Sequence, residues 1–298
     1  VKAARQRGPS PATDKTHQID ARTVDISVKL PPQLTQANAP LTQAVDVIDA
    51  EGQRRTVSIP AERDLTIYLD KRELITLMTL GAHPEWLTLG YLLNQRMIRH
   101  AYELESITVD WSVNAAAVKT RMGSSPARHE LGRRIITTGC GQGSMFAGLM
   151  DELDRLPLSP NARLSRETVF AIVQTIRERD TVYKNAGSVH ACALFEGSQL
   201  RCFIEDVGRH NALDAIAGWL ALGNLHQQAE PWVLYTTGRL TSEMIIKAAQ
   251  MGVAIVISRS GITQMGLELA RRLGVCAIGR ALNRHFLCFS ADDRLSIA

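Results

Sequence analysis

From Val45 onward hydrophobic and polar side chains alternate in short runs: Val45-Asp46-Val47-Ile48, Thr56-Val57-Ser58-Ile59, Leu65-Thr66-Ile67-Tyr68-Leu69 and Leu74-Ile75-Thr76-Leu77. A period of two puts alternate side chains on opposite faces of a strand, and turn sequences such as Glu51-Gly52-Gln53 and Asp70-Lys71-Arg72-Glu73 separate the runs. Short, mostly antiparallel strands are predicted. Pro84 then opens a segment in which Trp86, Leu89, Leu93 and Met97 recur at helical spacing, predicting a helix with one core stripe. Another alternating pair follows between Ile107 and Val118. Residues 41–134 therefore read as a small α+β unit. Residues 1–40 are rich in Pro, Gln, Thr, Ala and basic side chains without a sustained apolar period, and read as a mobile tail with one short edge strand at Val24 to Leu30.

Beyond residue 135 the rhythm lengthens. Val169, Ile172, Val173 and Ile176 make one face of a helix over Ser165 to Asp180, and two apolar strands follow at Val189–Phe195 and Leu200–Ile204. Then come a helix at Asn211–Leu222, a strand at Trp232–Tyr235, a helix at Ser242–Met251, a strand at Val253–Ile257 and a helix at Thr263–Leu273. Strands at Val275–Ile278 and Phe286–Phe289 close the chain. Strands alternating with helices of this length predict a partly parallel sheet covered on both faces, so residues 135–298 read as a three-layer α/β domain.

Composition narrows the class. The 298 residues are 45% hydrophobic and 21% charged, which excludes wholesale disorder and is enough chain for one large or two small domains. Lys plus Arg is 34 against 30 Asp plus Glu, and a net charge of +4 demands neither nucleic acid nor an acidic membrane. No apolar run reaches the roughly 18 residues of a membrane span, and the opening residues lack the hydrophobic stretch of a secretory signal, so a soluble, cytoplasmic protein is expected. The five cysteines, at 140, 192, 202, 276 and 288, are odd in number and widely spaced, which argues against a disulfide framework. Cys192, Cys202, Cys276 and Cys288 are expected to serve strand packing.

In open α/β sheets, ligands sit outside the carboxyl ends of the parallel strands, where helix N-termini and free backbone N–H groups converge. Four loops qualify: Glu205 to Asn211, Thr236 to Ser242, Ser258 to Thr263 and Gly279 to His285. Each carries a glycine and at least one arginine, and Arg209, Arg239, Arg259, Arg280 and Arg284 supply forked donors suited to phosphate oxygens. Each loop alone is explained by a turn glycine, a solvated arginine and a cap at Asn211, Ser242 or Thr263. Four together favour a site for a phosphorylated, nucleotide-like ligand, with Arg209, His210, Thr237, Gly238, Arg239, Ser258 and Arg259 among its candidates.

Gly139-Cys140-Gly141-Gln142-Gly143 lies between a strand-like Arg134 to Thr138 and a segment that can be helical from Ser144, with Arg133 and Arg134 upstream. Such surroundings lower a thiol pKa, so Cys140 is a candidate nucleophile; a small side chain packed in a turn is the alternative, and the residues alone leave both open. His190-Ala191-Cys192 faintly matches the His-Ala-Glu of zinc nucleoside deaminases, but position 192 offers no Glu for proton transfer and no Pro-Cys-x-x-Cys follows. His190 is read as a hydrogen-bonding core or site histidine, and no zinc is expected.

Taken together, the Gly139-Cys140-Gly141 loop and the runs Asn185 to Ala193, Glu205 to Asp214, Thr236 to Met244 and Ser258 to Thr263 resemble the FdhD family of formate dehydrogenase accessory sulfurtransferases. The resemblance runs from about residue 45 to the C-terminus. It implies a cytidine-deaminase-like α/β domain with a mixed sheet, a smaller N-terminal domain and a homodimer. It also implies an activity: persulfide sulfur is taken from a cysteine desulfurase and passed to the molybdenum or tungsten bis-guanine-dinucleotide cofactor destined for formate dehydrogenase. Guanosine diphosphate (GDP) would be a partial mimic of that cofactor. Cys140 matches the persulfide-bearing cysteine, and Arg280, Ala281, Leu282, Asn283, Arg284 and His285 match the cofactor loop. Where many members have a second cysteine, this chain has Gly143, which removes a local resolving thiol. A cofactor-binding chaperone without sulfur transfer is the alternative that this departure leaves open.

Overall fold

The protein is described from a computed structural model covering residues 30–121, 158–223 and 230–297. In chain order the elements are β1 (Gln33–Leu34), β2 (Thr42–Ile48), β3 (Arg54–Pro60), β4 (Arg63–Leu69), β5 (Arg72–Thr79), α1 (Pro84–Asn94), β6 (Leu104–Asp110) and β7 (Ala115–Thr120). After residue 158 come β8 (Leu164–Ser165), α2 (Arg166–Glu178), α3 (Val182–Ala186), β9 (His190–Glu196), β10 (Gln199–Asp206) and α4 (Arg209–Ala221). The last group is β11 (Trp232–Thr236), α5 (Ser242–Gln250), β12 (Ile255–Ser258), α6 (Gln264–Leu273), β13 (Cys276–Leu282), β14 (His285–Ser290) and β15 (Leu295–Ser296). Among the described residues no helix is long and apolar enough to cross a membrane.

The alternating runs of the first half form a five-stranded sheet in the order β1-β6-β7-β4-β5 and a separate antiparallel ribbon, β2-β3. In β4 and β5 the apolar set (Leu65, Ile67, Ile75 and Leu77) is buried while Thr76 and Met78 stay exposed, as expected of a sheet covered on one side. The chain just beyond Pro31 is tied to this sheet: β1 pairs with β6, and Glu85 accepts a hydrogen bond from the Ala37 N–H at 2.7 Å. Helix α1 starts with Pro84 in its first turn, and Leu89 is fully buried. It ends at Asn94, so Met97 packs from the turn that follows rather than from the helix.

The second half builds a six-stranded mixed sheet, β10-β9-β11-β12-β13-β14, in which β11, β12 and β13 run parallel and the outer pairs are antiparallel. Both faces are buried, so alternate residues of one strand feed different cores. Leu234 and Val256 pack toward α4, α5 and α6, whereas Val233, Tyr235, Ile255 and Ile257 pack toward Val169, Ile172 and Val173 of α2. Ser165 caps α2 by accepting from Thr168 N, and Thr263 caps α6 by accepting from Gly266 N. The other expected caps fall differently. Helix α4 begins at Arg209 after Gly208, with Asn211 inside it, because the Asn211 amide is drawn to Asp206 and to Met78 O instead. Helix α5 begins at Ser242 after Thr241, without a side-chain cap.

The sheets share one core because α1 lies against α4 almost backbone to backbone. A Cβ on Gly90 would stand 1.7 Å from Asp214 O, and one on Gly218 would stand 2.0 Å from Trp86 O. Any side chain at either position would drive the helices apart.

Candidate functional site

Strand register brings the loops named by sequence to one sheet edge. Parallel β11, β12 and β13 end there, β9 begins there with Cys192 opposite Thr236, and Asp206 at the end of β10 pairs with His190. Leu282 opposite His285 closes the β13–β14 hairpin on the same side. At this edge lies a cavity of about 600 Å³, within the size range of small-molecule sites. Val173, Ile176, Phe203 and Tyr235 form its apolar walls; Arg177, Lys184 and Arg259 bring positive charge; Tyr183, His190, Glu205, Thr237 and Asn283 supply polar groups.

Buried hydroxyls shape its floor. Ser258 Oγ donates to Gly238 O at 2.7 Å and accepts from Ser260 N at 2.9 Å, locking two neighbouring loops together. Thr236 Oγ1 accepts from Gly238 N at 3.1 Å and from the Cys192 thiol at 3.3 Å. Thr237 exchanges backbone and side-chain bonds with Ala191, and its hydroxyl lies 3.5 Å from His190 Nδ1. Gly238 makes room for the Arg209 side chain: a Cβ there would come within 2.7 Å of Arg209 Cδ and push that side chain aside. Glu205 accepts from Val182 N at 2.7 Å and Tyr183 N at 3.0 Å, so a buried carboxylate pins the first turn of α3 and sets Tyr183 on the wall. The Arg259 guanidinium lies 5.9 Å over the Tyr183 ring.

The hairpin tip is held differently. Arg280 and Asn283 have left-handed backbones, with φ of 52° and 55°, and Arg280 N donates to Ser260 O at 2.6 Å. Asn283 Oδ1 accepts from Arg177 at 3.3 Å, and the Arg284 guanidinium lies 5.2 Å over the Phe170 ring. Arg280, Leu282, Asn283, Arg284 and His285 are exposed, and Ala281 is buried.

Beside the cavity, a buried chain of charges begins at the N-terminus of α4. His210 Nδ1 lies 3.1 Å from Glu243, whose other oxygen lies 3.0 Å from Lys247 Nζ, and Lys247 in turn reaches both oxygens of Asp214 at 2.9 and 3.0 Å. Burial works against the Glu243 carboxylate, yet Lys247 and His210 hold its pKa below the usual range. An ionised Glu243 fixes His210 as the Nδ1–H tautomer, leaving Nε2 as a buried lone pair with no partner among the described residues. Burial is the main cause that brings the His210 pKa down to about 4, so the ring is neutral at neutral pH. Arg209 Nε is a buried donor that also lacks a partner among the described residues, and burial, with Arg209 and Arg239, lowers the pKa of His190. Asp206 anchors this corner: it accepts from Thr79 Oγ1 at 2.5 Å, Leu80 N at 3.0 Å, Gly208 N at 2.9 Å and Asn211 Nδ2 at 2.9 Å.

Of the residues nominated from sequence, Thr237, Arg259, Ala281, Leu282 and Asn283 line the cavity. Gly238 and Ser258 build the turns beneath it, and Arg209, His210 and Arg239 cluster electrostatically around His190. Arg280, Arg284 and His285 occupy the exposed hairpin end. Cys140 and Gly143 lie outside the described residues. Arg177, Tyr183, Lys184 and Glu205 were not singled out as site residues; the only local signal for the α3 pair was Thr181, which caps that five-residue helix. Burial pushes the thiols of Cys192 and Cys202 up to about 12, consistent with their packing role. Among the described residues no cluster of three His, Cys, Asp or Glu side chains is arranged to hold a metal ion.

The model of the FdhD/NarQ family matches residues 60–296. The chain belongs to the FdhD/NarQ family. Among its relatives in that family is the sulfur carrier protein FdhD of Bacillus subtilis (strain 168), 29% identical over 234 residues, covering 78% of this chain and 88% of the relative. The FdhD of Bacillus pumilus (strain SAFR-032) is 28% identical over 242 residues, covering 81% and 92% respectively. A crystal structure described as a candidate formate dehydrogenase accessory protein from Desulfotalea psychrophila superposes with a TM-score of 0.68 at 25% identity, covering 86% of this chain and all of that one. The FdhD/NarQ match takes in every element from β4 to β15 and so the whole described cavity edge; most of the β2–β3 ribbon precedes it.

Proposed function

We propose that this protein is a cytoplasmic, homodimeric sulfur carrier that takes persulfide sulfur from a cysteine desulfurase and passes it to the molybdenum or tungsten bis-guanine-dinucleotide cofactor, in support of formate dehydrogenase. The observation that carries this reading is the cationic, aromatic-walled cavity at the carboxyl ends of β11, β12 and β13, in a chain of the FdhD/NarQ family. Arg259 and Lys184 supply donors for phosphate, and Tyr183 offers a ring face for a base. At about 600 Å³ the cavity suits one nucleotide half of the cofactor rather than the whole of it.

The covalent step belongs to Cys140. Its thiolate attacks the outer sulfur of the donor persulfide, a new S–S bond forms on Cys140, and the donor cysteine leaves as a thiolate. Without a cysteine at position 143, the persulfide waits on one sulfur until it is transferred. The test is mass spectrometry after incubation with a cysteine desulfurase and cysteine. A gain of one sulfur on Cys140, absent in Cys140→Ser, is expected. An unmodified Cys140 alongside retained GDP binding would replace this reading with that of a cofactor chaperone.

A further inference from the structure

The β13–β14 hairpin carries a pair of sulfur atoms, well removed in sequence from Cys140. Cys276 Sγ and Cys288 Sγ stand 3.9 Å apart at the base of the hairpin whose tip is Arg280 to His285. Both belong to the core beneath α2, but they differ in access: Cys276 is fully buried, whereas Cys288 on edge strand β14 is only half-buried. We propose that Cys276 and Cys288 form a dithiol site that undergoes thiol–disulfide exchange with low-molecular-weight disulfides, closing a covalent staple across the hairpin.

The roles follow from geometry. Cys288 is the sulfur a reagent can reach, and Cys276 is the resolving thiol behind it. Their mutual hydrogen bond holds the Cys288 thiol below its ordinary pKa, while the same bond and burial push Cys276 up. The Cys288 thiolate attacks a disulfide RSSR, forming Cys288–S–SR and releasing RS⁻. Cys276 then attacks the Cys288 sulfur, its proton leaving with the second RS⁻ as RSH, and the Cys276–Cys288 bond forms. Two protein thiols are oxidised and one reagent disulfide is reduced to two thiols. Closing from 3.9 Å to a bond of about 2.05 Å requires the two side chains to turn toward each other. Nothing in this chemistry depends on what the hairpin tip binds.

The full-length chain treated with oxidised glutathione, alkylated and digested with trypsin provides the test. Cleavage after Arg272, Arg280, Arg284 and Arg294 puts Cys276 in peptide 273–280 and Cys288 in peptide 285–294, so a staple joins two separate peptides. The expected result is that linked pair in the wild type, and a glutathione adduct that persists on Cys288 in Cys276→Ser. An unlinked, fully alkylated pair in the wild type, under conditions that oxidise a free low-molecular-weight dithiol, would overturn the proposal, as would an adduct on Cys288 that never resolves. The wild-type measurement stands even if the variant fails to fold.

Discussion

The two ends of the sheet edge that carries the cavity are built on opposite principles. At the β10–α4 corner, one buried carboxylate, Asp206, gathers donors from β5, from the turn at Gly208 and from Asn211, and His210 is clamped to Glu243 and through it to Lys247. At the β13–β14 tip every side chain but that of Ala281 is exposed, and among the described residues few bonds anchor the tip beyond Arg280 N to Ser260 O and Arg177 to Asn283. The corner is pre-organised, and its geometry is coupled to global stability. The tip can be altered at little structural cost. Substitutions should therefore separate cleanly: at the corner they cost folding, and at the tip and cavity wall they cost binding.

The largest effect belongs to Asp206→Ala. Removing the carboxylate leaves two N–H groups, a hydroxyl and one of the two Asn211 amide hydrogens without their acceptor, and a loss of about 3 kcal/mol or more is expected. Urea denaturation measures it. A variant as stable as the wild type would show that the corner is not locked by Asp206.

The second effect depends on pH. His210 is held at about 4 in the fold against 6.5 unfolded, so above pH 6.5 both states are neutral there and the full stability is present. As pH falls from 6.5 to 4 the unfolded chain takes up a proton that the native chain refuses, and stability drops by about 3 kcal/mol. Glu243 opposes this shift, whereas burial, Lys247, Arg209 and His190 favour it. His210→Gln should flatten that part of the urea-midpoint profile relative to wild type. An unchanged slope would place the buried proton balance elsewhere.

At the cavity wall the sign of the contrast reverses. Arg259 is exposed and stacks over Tyr183, so Arg259→Ala should leave the urea midpoint nearly unchanged while weakening GDP binding roughly tenfold, more at low salt than at high. Calorimetric titration with GDP at two ionic strengths reads the affinities, and urea denaturation reads the midpoint. Equal affinity for variant and wild type would remove Arg259 from the phosphate position.

Much of the fold, though not this contrast, was legible in the sequence, and for a physical reason. Long periodic segments such as α2 and α6, and the apolar runs of β9 to β13, encode their burial in a repeating pattern, and the gathering of the arginine-bearing loops at one sheet edge follows from strand direction. Three features had no local signature. Asn211 reads as a helix cap, and only the distant Met78 and Asp206, brought beside it by the meeting of two sheets, recruit its amide elsewhere. Tyr183 and Lys184 lie on a five-residue helix too short for any period, fixed instead by Glu205 across more than twenty residues of chain. The Cys276–Cys288 contact is legible only after a bulge in the β13–β14 register sets the two sulfurs side by side.

The smallest effect tests how permissive the tip is. Asn283 holds a φ of 55°, a conformation that costs a side-chain-bearing residue energy and costs glycine little, and its Oδ1 accepts one long, exposed bond from Arg177. In Asn283→Gly, relief of the backbone offsets both the lost bond and the added freedom of the unfolded chain, so the net change in stability is expected within about 0.5 kcal/mol. GDP affinity is the sharper readout: if Asn283 acts only by shaping the turn, glycine preserves binding, whereas Asn283→Ala, which keeps the strain and loses the bond, weakens it. Equal loss in both variants would mean that the amide itself meets the ligand, and the tip would then be a recognition element rather than a permissive loop.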